Sequence, residues 1–387
     1  MSTIEFKQAI DNLFPLKYSG EFVDELRSTL NKYISLVKDY ESASCDISEI
    51  EDLCTELLSV VSLYYDGRRG EAYRVFSQIM NGDAQNKGLF SYIDSIEINV
   101  GENFFRARKR IIGEEFSIKD MFHIPLNKRG IVSTQRYSYP GYPCLYLGNS
   151  VFSCYEELRR ANFNDLMFSA YKVLRNFKVF DMRIPSEKDY STNENLKQTL
   201  RRLPLVLACS FVVRNDNDVF KPEYIIPQML IECIIFNNRM LTETGRNILD
   251  IDMIWGVIYT STHINNDFPY GTDYLQNIVL PIIQLNGKSS YCEYLAALFG
   301  ITKPLCYEYE SLKEKASCIH ELELGNQLQE QYKNSKMGYL EERLKNVEFE
   351  SLSHLCLNLP NEMTINLDWS GTSQELEIMS NLEWKIE

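Results

Sequence analysis

No window of the 387-residue chain approaches about 18 uncharged apolar residues, so a membrane-crossing helix is not expected. The start, Met1-Ser-Thr-Ile-Glu-Phe6, has no basic region leading into an apolar core, and a cytoplasmic location is expected. Cys-x-x-Cys pairs are absent, and His123, His263, His320 and His354 are dispersed without ligand spacing, so no metal site is expected. Positive charge is in short supply: 40 Lys and Arg against 54 Asp and Glu leave a net charge of -14. The long-range field of such a chain repels nucleic acid and anionic lipid, and neither is expected as a partner. Internal repeats and low-complexity tracts are also missing.

What remains is an ordinary globular composition, 44% hydrophobic and 24% charged, long enough for two or three domains. The ten cysteines are scattered, mostly inside apolar runs, and read as buried free thiols in a reducing compartment.

Residues 1–90 read as a helical N-terminal domain. Phe22, Leu26, Leu30, Tyr33, Ile34 and Val37 recur at helical spacing, as do Ile47, Ile50, Leu53, Leu57, Leu58 and Val61 after a capping pair Asp46 and Glu49. A third helix over 71–80 should stop at Asn81-Gly82. Residues 91–285 mix short strands with helices: 96–100, 177–184, 255–259 and 277–281 read as strands, 228–235 as a helix, and 195–213 as a helix interrupted or restarted near Pro204. Residues 116–129 read as a loop. Residues 286–387 form a mixed C-terminal extension: a helix over 291–299, a polar helical segment over 309–346, and strands over 363–368 and 376–386. The fold class is α+β.

The stretch from Arg136 to Arg160 has the layout of a site. Pro140-Gly141 and Pro143 punctuate it, Cys144 to Leu147 suits a strand, and Asn149 or Ser150 can cap a helix running into Glu157. Upstream, Phe104 and Phe105 anchor the basic run that begins at Arg106. Glu156 and Glu157 are adjacent and face different ways on a helix, so one of them at most enters a cleft; spacing favours Glu157.

In order, Phe104-Phe-Arg106, Gln135-Arg-Tyr-Ser138, Pro143-Cys-Leu-Tyr-Leu-Gly148, Tyr155-Glu-Glu-Leu158, Tyr224 to Glu232 and Gly256-Val-Ile-Tyr-Thr-Ser261 resemble the RES domain, over about half the chain. That resemblance implies a fold similar to ADP-ribosyltransferase toxins, NAD as the substrate consumed, and a partner like the Xre antitoxins of RES-Xre pairs. It places the family arginine on Arg136, the tyrosine on Tyr146, the acid on Glu157, the serine on Ser261 and an early arginine on Arg106. Gln135 and Ser138 depart from the family's usual glycine and asparagine.

Chemistry agrees with that placement. A guanidinium pairs with pyrophosphate through charge-assisted bonds, which suits Arg136 and Arg106. A tyrosine ring face attracts cationic nicotinamide, which suits Tyr146. Cleaving the N-glycosidic bond develops an oxocarbenium-like ribose while nicotinamide leaves neutral, so one carboxylate, Glu157, suffices, with Ser261 holding an amide or phosphate. The expected activity is an NAD glycohydrolase or phosphorylase. ADP-ribosyl transfer to a protein and a non-catalytic NAD-binding module are the alternatives, and the two extensions could recognise an antitoxin or mediate self-association into a homo-oligomer.

Overall fold

A computed structural model of the chain describes all residues except 41–46, 84–86, 94, 111–115, 243–252, 264–274, 284–289, 308–331 and 353–387. Five helices open it: α1 (Thr3–Asp11), α2 (Phe22–Asp39), α3 (Ile47–Tyr65), α4 (Arg69–Asn81) and the short α5 (Leu89–Tyr92). The apolar stripe of α2, Phe22, Leu26, Leu30, Tyr33 and Val37, is buried as its spacing predicts. Helix α4 stops at Gly82, whose φ of 79° lies in the left-handed region and whose amide donates to the Gln78 carbonyl at 2.7 Å. Asp46 lies outside the described residues.

The strands are β1 (Ile96–Ile98), β2 (Asn103–Lys109), β3 (Cys144–Gly148), β4 (Leu166–Val173), β5 (Phe177–Met182), β6 (Ile254–Thr260), β7 (Gln276–Pro281), β8 (Phe299–Thr302), β9 (Leu305–Cys306) and β10 (Phe349–Ser351). They make one sheet in the order β1-β5-β6-β7-β3-β2-β4-β8-β10, with β9 beside β4. Of these pairings β5 with β6 is parallel and the others are antiparallel. With the helices α6 (Ile118–Met121), α7 (Val151–Glu157), α8 (Asn193–Cys209), α9 (Ile225–Thr242), α10 (Glu293–Leu298) and α11 (Lys336–Lys345), the chain is α+β. Among the described residues no helix is long and apolar enough to cross a membrane.

Both sheet faces are covered. On one, Phe180, Val257, Tyr259 and Val279 share a core with α8, α9 and the N-terminal helices; on the other, Leu145, Leu147, Ile278 and Phe299 pack with Met121 and Leu295. The core therefore runs across the boundary expected near residue 90. β8 and β10 carry the C-terminal segment into the same sheet, so residue 285 marks no break in it either.

Three local expectations change. α8 is one continuous helix through Pro204. Proline cannot donate to the carbonyl four residues back, yet that carbonyl, on Leu200, accepts from the buried Tyr33 hydroxyl of α2 at 2.6 Å, so the helix continues without an orphaned acceptor. The 116–129 loop contains α6 and leads into a 3-10 turn, Leu126–Ile131. The helix expected over 291–299 is shorter, because Phe299 opens β8. The strands expected at 363–368 and 376–386, and the segment 309–331, lie outside the described residues.

Candidate functional site

Strand register assembles the site. Tyr146 of β3 pairs with Val279 of β7, which pairs with Val257 of β6; two residues along, Gly148 pairs with Asn277 and Asn277 with Tyr259. Directly opposed residues share a face, so Tyr146, Gly148, Asn277 and Tyr259 all point toward α7 and the helical core. α7 begins at Ser150, whose hydroxyl accepts from the Ser153 amide at 2.9 Å. It lies so close to β3 that a Cβ on Gly148 would stand 2.9 Å from Cys154 Sγ and 3.1 Å from Ser153 Cβ.

That approach delivers Glu157 to the strand ends. Its Oε1 accepts from Ser261 Oγ at 2.7 Å and from Asn277 Nδ2 at 2.6 Å, while Asn277 Oδ1 accepts from Ser153 Oγ at 2.6 Å. The Glu157 side chain remains 34% exposed, so it is fixed yet reachable. Glu156 is only 4% exposed and receives Arg160 Nε at 2.9 Å. Glu157, not Glu156, therefore faces Ser261.

Arg136 sits in a turn closed by the Gln135 amide donating to the Ser138 carbonyl at 2.9 Å and clamped by Gln228 of α9, whose Nε2 donates to both the Gln135 and Ser138 carbonyls at 3.0 Å. Gln135 is not among the residues in the left-handed region, so glycine is not required there. The Arg136 guanidinium is buried: Nη1 donates to the Cys209 carbonyl and Nη2 to the Phe211 carbonyl and Thr262 Oγ1, each at 2.9 Å. Its face lies 5.3 Å from the Tyr224 ring centroid. Three of the five N–H groups of the guanidinium are thus engaged by the protein itself. Among the described residues the other two N–H groups meet no acceptor, and the buried positive charge lies beside Thr262.

Tyr146 donates to Ser138 Oγ at 3.2 Å, and burial pushes its phenol well above the usual range. The side chains of Arg136, Tyr146, Glu157 and Ser261 are gathered on one side of the sheet. Arg106 is not. It pairs with Ser169 of β4, two residues along from the Phe104–Tyr171 pair and so on the same face, whereas Phe105, opposite Gly148, takes the α7 face. Strand alternation therefore turns Arg106 to the opposite face with Arg108, whose Nη1 donates to the Asp120 carbonyl at 2.5 Å. Arg106 Nη1 is buried and has no hydrogen-bond partner among the described residues, and burial pulls its pKa down. Its expected place beside the other four is corrected by a period of two.

Asn277, Arg159 and Asp216 complete the site without having been singled out, and His263, close to Ser261 in sequence, joins them. Asn277 gives no sequence signal beyond lying in a strand. Arg159 and Arg160 adopt φ of 58° and 51°, folding the chain back after α7. Arg159 Nη2 then donates to Asp216 Oδ1 at 2.6 Å, and Arg159 Nη1 contacts His263 Nδ1. His263 lacks an identifiable acid partner in the sequence; folding supplies one, with Nε2 3.5 Å from Glu157 Oε2. A separate cleft of about 1050 Å3 opens at Thr260 and Gln276, the chain neighbours of Ser261 and Asn277.

The chain is similar to "Putative toxin YopC" of Bacillus subtilis (strain 168), 33% identical in an alignment of 317 positions that covers 77% of this chain and 66% of the relative. It is a homologue of a putative toxin. The chain spans just under two thirds of that relative's length. No protein-family model and no solved structure matches it.

Proposed function

We propose that the protein is an NAD-consuming toxin of RES type, with an ADP-ribosyltransferase-like fold, that cleaves the nicotinamide N-glycosidic bond. The observation that carries this reading is Glu157: a partly exposed carboxylate with one oxygen held by Ser261 and Asn277, on the sheet face shared with Arg136 and Tyr146. A fixed carboxylate placed where ribose becomes cationic stabilises the transition state without reorganising. Nicotinamide departs neutral, so no second acid is required. The buried charge of Arg136 favours the pyrophosphate electrostatically, through the N–H groups left over. Tyr146 offers a ring to nicotinamide. A toxin of this kind implies an antitoxin, for which an Xre-like protein is the expectation.

The test is nicotinamide release from NAD by the purified chain, with water or inorganic phosphate as acceptor. Glu157→Gln should abolish release with little change in the thermal transition, and Glu156→Gln should act through stability instead. Covalent label on protein from labelled NAD would redirect the reading to ADP-ribosyl transfer. Tight NAD binding with no turnover would point to a regulatory module.

A further inference from the structure

We propose that His263 is a positioning residue for Glu157, held as its Nε2–H tautomer by the Arg159–Asp216 pair; this rests on the NAD-cleaving reading of the site. The proton assignment follows from donors and acceptors. A guanidinium has N–H donors and no acceptor, so the His263 Nδ1 that Arg159 Nη1 contacts must be the accepting nitrogen. The ring proton is then on Nε2, which lies 3.5 Å from Glu157 Oε2. Oε1 of the same carboxylate is already occupied by Ser261 and Asn277. His263 thus stands beside the second oxygen, across the carboxylate from Ser261 and Asn277.

The surrounding backbone is shaped for this contact. Arg159 and Arg160 lie in the left-handed region, which non-glycine residues adopt only when their surroundings hold them. The turn they make swings Arg159 from the end of α7 to Asp216, 2.6 Å away, in the connection between α8 and α9. The His263 amide donates to Ser261 Oγ at 3.2 Å, tying the histidine to the hydroxyl that holds Glu157.

Among the described residues the charged groups facing the ring are Glu157, Arg159, Arg136 and Asp216. Burial lowers its pKa and the two arginines add to that, while Glu157 and Asp216 act the other way; the net direction is down, so the ring is neutral at neutral pH. A neutral donor fixes Glu157 without placing a rival cation beside the ribose. Acid would protonate Nδ1 and expel Arg159, because two donors cannot face each other.

Two measurements decide the matter. In 15N-edited spectra of the wild-type chain near neutral pH, with His263 assigned by its loss in His263→Gln, the expected form is the Nε2–H tautomer; an Nδ1–H ring or an imidazolium overturns the proposal. In nicotinamide-release assays, His263→Phe should lower kcat about tenfold, the low end for a hydrogen bond to a charged group, with KM for NAD nearly unchanged. His263→Gln, which keeps a donor toward Glu157 and an acceptor toward Arg159, should recover most of that loss. A His263→Phe chain as active as wild type overturns the proposal. A wild-type chain that releases no nicotinamide sinks the NAD reading itself, and the tautomer measurement then still decides the Arg159–His263 arrangement.

Discussion

Gly148→Ala tests how the site is built. The added Cβ would stand 2.9 Å from Cys154 Sγ, 3.1 Å from Ser153 Cβ and 3.2 Å from the Ser150 carbonyl oxygen, all in the cap and first turn of α7. None of the three is the tip of a long flexible side chain, and Cys154 Sγ is itself tied to the Phe105 carbonyl at 3.2 Å. The helix must therefore lift by several tenths of an ångström. Overpacking of this kind costs about 1–3 kcal/mol, to be read from urea denaturation as a lower midpoint with an unchanged slope. A lift of α7 also moves Glu157 at its end, whose contacts to Ser261 and Asn277 at 2.7 and 2.6 Å have little slack, so turnover should fall more than stability alone accounts for. Cys154→Ala removes the nearest obstacle, and the double variant should be less destabilised than the sum of the two single ones. A Gly148→Ala chain within about 0.5 kcal/mol of wild type would refute the close approach as the device that sets the carboxylate.

Other consequences are as direct. Tyr33→Phe strips the Leu200 carbonyl of its donor and should cost about 1–3 kcal/mol, and Pro204→Ala in that background should restore part of it by returning a backbone N–H. Glu341 of α11 accepts from the Val151 amide at 2.7 Å and from Tyr332, so Glu341→Ala orphans the first amide of α7 and should cost about 1–3 kcal/mol by the same measurement. His123 is buried, accepts from the Cys292 amide at 2.8 Å, and is pushed by burial from 6.5 to about 4. Its folded pKa is depressed, so the unfolded chain takes up the proton first and stability falls as pH drops from 6.5 toward 4, by about 3 kcal/mol in full. His123→Gln should flatten that part of the stability profile; an unchanged slope would mean another group titrates there.

Much of the architecture was legible because periodicity survives folding. The α2 stripe, the stop at Gly82 and the strands around Trp255 and Val279 follow from local pattern. The segment from Arg136 to Glu157 was legible as a unit for the same reason, since turn, strand and helix N-cap each carry their own residues. What could not be read depends on pairing. Arg106 lies one step out of phase with Phe105, and only the β2–β3 register shows which face Phe105 takes. The Arg136 side chain is buried among carbonyls of residues 209 and 211, which nothing in its neighbourhood announces. Pro204 reads as a breaker until Tyr33, distant in sequence, supplies the missing bond. His263 gains an acid partner through the turn at Arg159 and Arg160, where two arginines occupy a conformation their sequence does not advertise.

The most direct measurement is nicotinamide release from NAD by the full chain, wild type beside Glu157→Gln, with folding of both confirmed by their thermal transitions. The account predicts release by the wild type, with water or phosphate as acceptor, and none by Glu157→Gln at an unchanged transition. Equal release from the two folded proteins, or none from the wild type, would contradict it.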